Sequence, residues 1–487
     1  MPKVGASHGA AERVSVMSCA IPSRRSFLRL AALVTSGLGL TSCGLLPNIL
    51  PSQPVVIKKP VTLNLYFGPF FVQGGGQSPE TKLMAGIIDN YQKAQPNVTV
   101  KATEVTFSIF QDFQNLTDPT SPDHIDLLLG QFTGRFGNVD VTGAIAPVDS
   151  YLKRDKTVTA ASFYPAAMHR WWSAGKQLGL PRDIQPTDII YYNRTLLKNA
   201  GLKDPGDGWT TDDFLSFLQQ LSKAGQALPA NNPAHWAYVD IDPRTGFDDF
   251  IYIFGGRATN YPADPPRAMF DTDQAISGGR YYADLYSRYR YAADALGRSG
   301  AYSLGPVPDF LLGHVPVLLA PSNLIATMQS VQHPLDWDIT LEPIKADVKQ
   351  SWYGSGLGAF IMKASTDADA SWNLLTYLVA GDGIKQRAAV GDVHPAFMKV
   401  ASSSAYTSGK APLGKRLFNT VGMSQMIDVD PSTLPPSAGT PVPGSVPNTQ
   451  AMFQDISYNL DDALSGKTDV AAMLRQATQA GNTPGGR

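Results

Sequence analysis

The stretch Gly175-Lys-Gln-Leu-Gly-Leu-Pro-Arg-Asp-Ile-Gln-Pro-Thr-Asp-Ile-Ile-Tyr-Tyr-Asn193 decides how the rest of the chain is arranged. It opens on a turn signal, Gly175-Lys176, and Leu178 to Pro181 is too short for an independent strand. Polar Arg182, Asp183 and Gln185 follow, and then a β-branched and aromatic run, Ile189 to Tyr192. Pro181 and Pro186 cannot donate to a sheet ladder, so neither suits the interior of a central strand. Each also biases its preceding residue toward extended backbone. Two short extended runs with a polar elbow between them fit a chain crossing between two lobes. They also fit a loop between two strands of one sheet, and the remaining sequence has to choose.

Working outward, the amino-terminal side supplies the units of an α/β lobe. Val61 to Phe67 alternates with β propensity and reads as a first strand. The Gly74-Gly75-Gly76 loop follows it, and Glu80 to Gln95 places Leu83, Met84, Ile87, Ile88 and Tyr91 on one helical face. Val98 to Val105 reads as a second strand, and the continuous apolar run His124 to Gly130 suits a buried parallel strand. Strand, helix, strand, strand is the order of an α/β layer.

On the carboxy-terminal side, Thr210 and Asp213 form a capping-box pattern ahead of Phe214, Phe217, Leu218 and Leu221. Arg280 to Tyr291 is a tyrosine-rich helix candidate, and Phe310 to Ala320 reads as a strand returning across the molecule. Trp337 to Pro343 is a further short strand. Ser365 or Thr366 is expected to cap a helix carrying Trp372 and Leu375, and Asp428 to Asn448 is a Pro-rich surface loop.

Bulk composition removes several function classes. The 487 residues are 43% hydrophobic and 17% charged, enough for two or three domains with packed cores. A formal charge of −1 lacks the basic footprint of a nucleic-acid binder. Cys19 and Cys43, both near the amino terminus, exclude a disulfide framework or zinc ribbon in the body. The histidines show no metal-hydrolase spacing, and no cofactor motif is present.

Residues 1–42 read as an export signal. Arg24 and Arg25 precede the apolar run Leu30 to Leu40, which is far short of the ~20 residues that span a bilayer. Consecutive arginines mark the twin-arginine variant. Leu40-Thr-Ser-Cys43-Gly resembles the bacterial lipobox, which implies cleavage before Cys43 and a lipid on its sulfur. Residues 43–60, with four prolines, then form a semi-extended tether.

Seven runs in register resemble the bacterial extracellular solute-binding proteins of family 1, the sugar receptors of ABC importers that include maltose-binding protein. They are Gly175 to Pro181, Ile190 to Asn193, Leu196 to Leu202, Trp209 to Phe214, Phe310 to His314, Gly354 to Ser365 and Trp372 to Leu378. The resemblance covers most of residues 60–480. It implies an α/β, type II periplasmic-binding-protein-like fold: two lobes joined by a hinge of three crossovers. The crossovers are expected near Leu180, near His314 to Val317 and near Ser355 to Leu357. The first lobe is then 61–180 plus 315–355, and the second 181–314 plus 356–480.

The resemblance further implies a monomeric, lipid-anchored receptor that delivers a carbohydrate to ABC permease subunits. A sugar needs aromatic platforms beside groups that pair with hydroxyls. The expected ligand contacts are Phe70, Phe71, Gln131 and Phe132 at first-lobe strand ends, and Arg182 and Asp183 past the first crossover. Asp240, Asp242, Asn323, Trp352, Tyr353, Gly354 and Phe453 complete the set. Each has a structural alternative: core packing for Trp352 and Tyr353, a surface ion pair for Arg182 and Asp183, solvated turns for Asp240 and Asp242. Two other functions stay open, an exported glycosidase with paired carboxylates and an iron receptor using Tyr191 and Tyr192.

Overall fold

The computed structural model describes residues 56–68, 79–104, 116–130, 135–136, 139–140, 142–173, 175–228, 232, 235–260, 267–293, 305–330, 335–352, 354–408, 412–428 and 449–483. The export signal with Arg24 and Arg25, Cys43, and the greater part of the tether and of the Pro-rich segment lie outside them.

The first sheet is built as the periodicity predicts. Strand β1 (Val61–Phe67) buries Leu63, Leu65 and Phe67, and helix α1 (Pro79–Ala94) crosses over to the parallel strand β2 (Val98–Glu104). α1 packs Met84, Ile87, Ile88 and Tyr91 into the core. Strand β3 (Leu127–Gly130) is buried along its whole length and pairs parallel with β1 on the other side. Short strands β4 (Ile145–Ala146) and β5 (Gly179–Pro181) follow.

The chain then leaves this sheet through β6 (Gln185–Pro186) and enters a second one at β7 (Asp188–Asn193), so the opening stretch is a crossover. Helix α2 (Thr211–Gly225) starts with the expected capping box, in which Asp213 accepts from the Thr210 backbone N–H at 2.9 Å. Strand β8 (Tyr238–Asp240), helices α3 (Pro243–Ile253) and α4 (Asp273–Tyr286) and strand β9 (Ala292–Ala293) come next. Residues 310–320 are not one strand: helix α5 (Pro306–Leu311) and a turn at Gly313 precede β10 (Val317–Pro321). Pro306 at the first helical position favours this local helix. With β11 (Trp337–Thr340) the second sheet has the order β9-β8-β10-β7-β11.

The chain returns through β12 (Gly354–Ser355), which pairs with β6, to β13 (Gly358–Met362). β13 inserts antiparallel between β3 and β4 and also pairs with β5, completing the first sheet. Helix α6 (Ala368–Val379) covers that sheet, and α7 (Asp382–Val390) packs on α6 and α1. The α6 cap is Asp367, one residue past the expected Thr366. A third passage follows Val390, and α8 (Thr449–Leu464) and α9 (Val470–Asn482) pack on α4 in the second lobe.

This pairing corrects the expected division. β10 and β11 belong to the second sheet and β13 with its helices to the first, so His314 to Val317 lies inside the second lobe. A continuous apolar run identifies a buried strand but carries no information about which sheet receives it.

Candidate functional site

Strand direction locates the site. Gly358 of β13 pairs with both Gly130 and Pro181, so the carboxyl ends of β3 and β5 lie together, beside the end of β1 at Phe67. In the second sheet the carboxyl ends of β8, β10 and β11 face the same way as the start of β7 at Asp188. β5 and β7 are joined directly through β6. Both sheets therefore turn their strand ends toward one hinge, the place where α/β proteins gather ligands. Phe70, Phe71, Gln131 and Phe132 follow these ends in sequence but lie outside the described residues, as does Tyr353.

The hinge itself is a knot of backbone and side-chain bonds. Arg182 N donates to Leu357 O at 2.8 Å, and Leu357 N donates to Asp183 Oδ1 at 2.9 Å. Arg182 Nε donates to Asp183 Oδ2 at 2.5 Å, and both residues are buried. Ile184 N donates to His394 O, and Ala396 N to Arg182 O, which ties the third passage to the first. A side chain at Gly356 would put Cβ 2.2 Å from Asp183 O, so the second and first passages touch through bare backbone. The structure thus places Arg182 and Asp183 as hinge struts rather than on an open cleft wall. Both carboxylate oxygens of Asp183 are already taken.

The other expected contacts divide. Trp352 is buried, its backbone bridging to Gln425 and Ile427, so it packs the hinge and offers no open aromatic face. Gly354 pairs with Pro186, and a Cβ there would lie 2.7 Å from the Met426 sulfur. Asn323 is exposed on the turn after β10, and Asp242 is exposed at the cap of α3, accepting from Thr245 Oγ1 at 2.6 Å. Phe453 is half-buried, with Phe270 against its edge and the Arg244 guanidinium 5.4 Å from its centroid. Asp240 is fully buried, which corrects its reading as a cleft or turn carboxylate.

Asp240 belongs to a group that sequence reasoning missed. Asp188, Asp249 and Glu342 are buried near it at the hinge end of the second sheet. The available signal was an acid at the edge of each apolar run, as in Asp188-Ile-Ile and Leu341-Glu342. Burial pushes the Asp240 carboxyl up to about 7, against hydrogen bonds from Tyr282 and the Asp242 N–H that favour the anion. Burial, then the neighbouring carboxyls, raise Asp188, Asp249 and Glu342 well above the ordinary range.

These acids are not a glycosidase pair. They lie under α3, whose Gly246 approaches so closely that a Cβ would sit 1.9 Å from Asp240 Oδ2. All four are buried, so the group presents no open face to a sugar. Tyr191 and Tyr192 are no iron site either, because consecutive strand residues point to opposite faces. Tyr191 donates to Pro321 O at 2.9 Å and Tyr192 to Asp204 Oδ2 at 3.3 Å. Among the described residues no group of three or more His, Cys, Asp or Glu has the arrangement of a metal site.

A family model described as bacterial extracellular solute-binding protein matches residues 86–413. The chain belongs to this family. As a solute-binding protein it is a receptor of an exported class and not an enzyme. Its fold matches the ABC substrate-binding protein Lmo0181 from Listeria monocytogenes, solved with cycloalternan, at TM-score 0.64 and 18% identity. That match covers 87% of this chain and 98% of the other. The GacH receptor of Streptomyces glaucescens, solved unliganded and with acarbose, matches at 0.63 and 17%, covering 86% and 97%. The maltose-maltodextrin binding protein of Alicyclobacillus acidocaldarius matches at 0.61 and 18%, covering 87% and 100%. No curated protein matches the sequence. Among the described residues of this solute-binding protein, no helix is long and apolar enough to cross a membrane.

Proposed function

We propose that this solute-binding protein is a monomeric, lipid-anchored receptor that holds a carbohydrate between its two lobes and delivers it to the permease subunits of an ABC importer. The observation that carries the reading is the convergence of both sheets' strand ends on one hinge. Structures of the same fold, solved with cycloalternan, acarbose and maltose, support the ligand class. Export follows Arg24 and Arg25, and Cys43 carries the lipid, each acyl CH₂ contributing ~0.8 kcal/mol to anchoring. Residues 43–60 are the tether. Phe70, Phe71, Gln131, Phe132 and Tyr353 supply aromatic and amide contacts to the sugar. Asp242, Asn323 and Phe453 contribute from the second lobe. No cofactor and no nucleic acid takes part.

A thermal-shift screen against mono- and oligosaccharides tests this. At least one sugar is expected to raise Tm without being consumed. A panel without any shift, or product formation from a bound sugar, would overturn the reading.

A further inference from the structure

The acid group under α3 has a geometry that demands protons. In the β7–β11 ladder Ile190 faces Thr340, so Asp188 and Glu342 occupy the next same-face positions on the two strands. Ile190 also faces Leu319, and Leu319 faces Asp240, which puts Asp240 and Tyr238 on that same face. α3 closes over it and brings Asp249. Relative exposures are 0% for Asp188 and Asp240, 2% for Glu342 and 5% for Asp249.

Polar atoms in this space lack partners. Asp188 Oδ1 and Oδ2, Asp249 Oδ2 and Glu342 Oε1 have none among the described residues. Independently of the acids, the buried Thr340 hydroxyl, two residues before Glu342, has no partner among the described residues, and the buried Tyr238 hydroxyl is directed at Asp240. Among the described residues, the charged neighbours that act on Asp188, Asp249 and Glu342 are acids. Arg244, the basic residue on α3, pairs with Asp248 at 2.5 Å, and Asp242 is turned to solvent as the α3 cap. From α4, Tyr282 donates to Asp240 Oδ2 at 2.6 Å and contacts Tyr286 at 2.9 Å.

Four carboxylates buried on one face cannot all be held as anions in a dry interior without a counter-charge. A protonated carboxyl, unlike a carboxylate, both donates and accepts. Protons held among the carboxyls would supply donors where the buried oxygens now have none. We propose that Asp188, Asp240, Asp249 and Glu342 form a shared-proton site that clamps the second-lobe ends of two hinge passages. Asp188 directly follows β6 and Thr187, and Glu342 is where the chain leaves β11 for β12. The inference is independent of what the cleft binds.

Raised carboxyl pKa values fix the direction of the pH effect. The stabilisation is complete below the unfolded carboxyl value and is lost as pH rises through the folded one. Deprotonation drives the four acids apart and loosens the clamp.

Infrared spectra of the full-length protein near pH 7 test this, because ordinary carboxyls are then ionised. A protonated-carboxyl C=O band is expected, shifted in D₂O and diminished in Asp188→Asn or Glu342→Gln. Tm of the unaltered protein should fall as pH rises from the ordinary carboxyl range of about 4 through about 7, where Asp240 titrates, and the fall should be smaller in Glu342→Gln. The band in the unaltered protein needs no variant to fold. Its absence at neutral pH would overturn the proposal, as would a rise in Tm on adding calcium, which would mean ionised acids awaiting a cation.

Discussion

His394 shows how much a single residue can join. Its Nδ1 lies 2.9 Å from Ile184 O and its Nε2 2.7 Å from Asn419 Oδ1, so one ring contacts the first and third hinge passages. Tyr164, Tyr406 and Phe418 enclose it. Burial holds its pKa below the ordinary value, against hydrogen bonds that favour the cation. Burial therefore disfavours the charged ring. The contribution of His394 is present above the unfolded value of about 6.5 and is lost as pH falls. His394→Gln should lower stability at neutral pH by about 1–3 kcal/mol and flatten the acid limb of a Tm-against-pH curve. An unchanged acid limb would remove His394 from the hinge's pH response. Nothing in the sequence marked this histidine, because burial depends on what the distant passages bring to it. Arg182 and Asp183 were visible as a polar elbow. Whether they face a cleft or each other is a tertiary fact that residue type does not hold.

At the scale of elements the sequence was most legible where a local rule decides. The Thr210–Asp213 box is formed as read, and it orients Phe214 and Leu218 into the second-lobe core. Thr210→Ala should cost about 0.5–2 kcal/mol, measured by denaturant unfolding. A change within error would mean the α2 start is held by packing alone. The alternating β1 and the amphipathic α1 were legible for the same reason. Phe310 to Ala320 was not, since Phe310, Leu311, Val317 and Leu318 are equally apolar in helix and strand. Only Pro306 and Gly313 separate the two elements. The acids at the edges of β7, β8 and β11 were hidden for another reason: register places them together, and register is a pairing between segments far apart in the chain.

The whole molecule is defined by three passages between two sheets, and these set what it can do. The family resemblance gave three passages and placed two of them, near Leu180 and near Ser355 to Leu357; the one expected at His314 to Val317 instead follows Val390, because apolar strands such as β10 and β13 read alike whichever lobe receives them. The polar bonds of the hinge join passages rather than lobe surfaces, and closure is then a change of a few backbone dihedrals while each sheet stays intact. Sheets this deeply buried do not deform easily. Small-angle scattering of the protein, with and without a sugar that raises its Tm, tests that account most directly. A smaller radius of gyration on sugar binding, with the sugar recovered unchanged, is the predicted result. An unchanged radius at saturating sugar would contradict it.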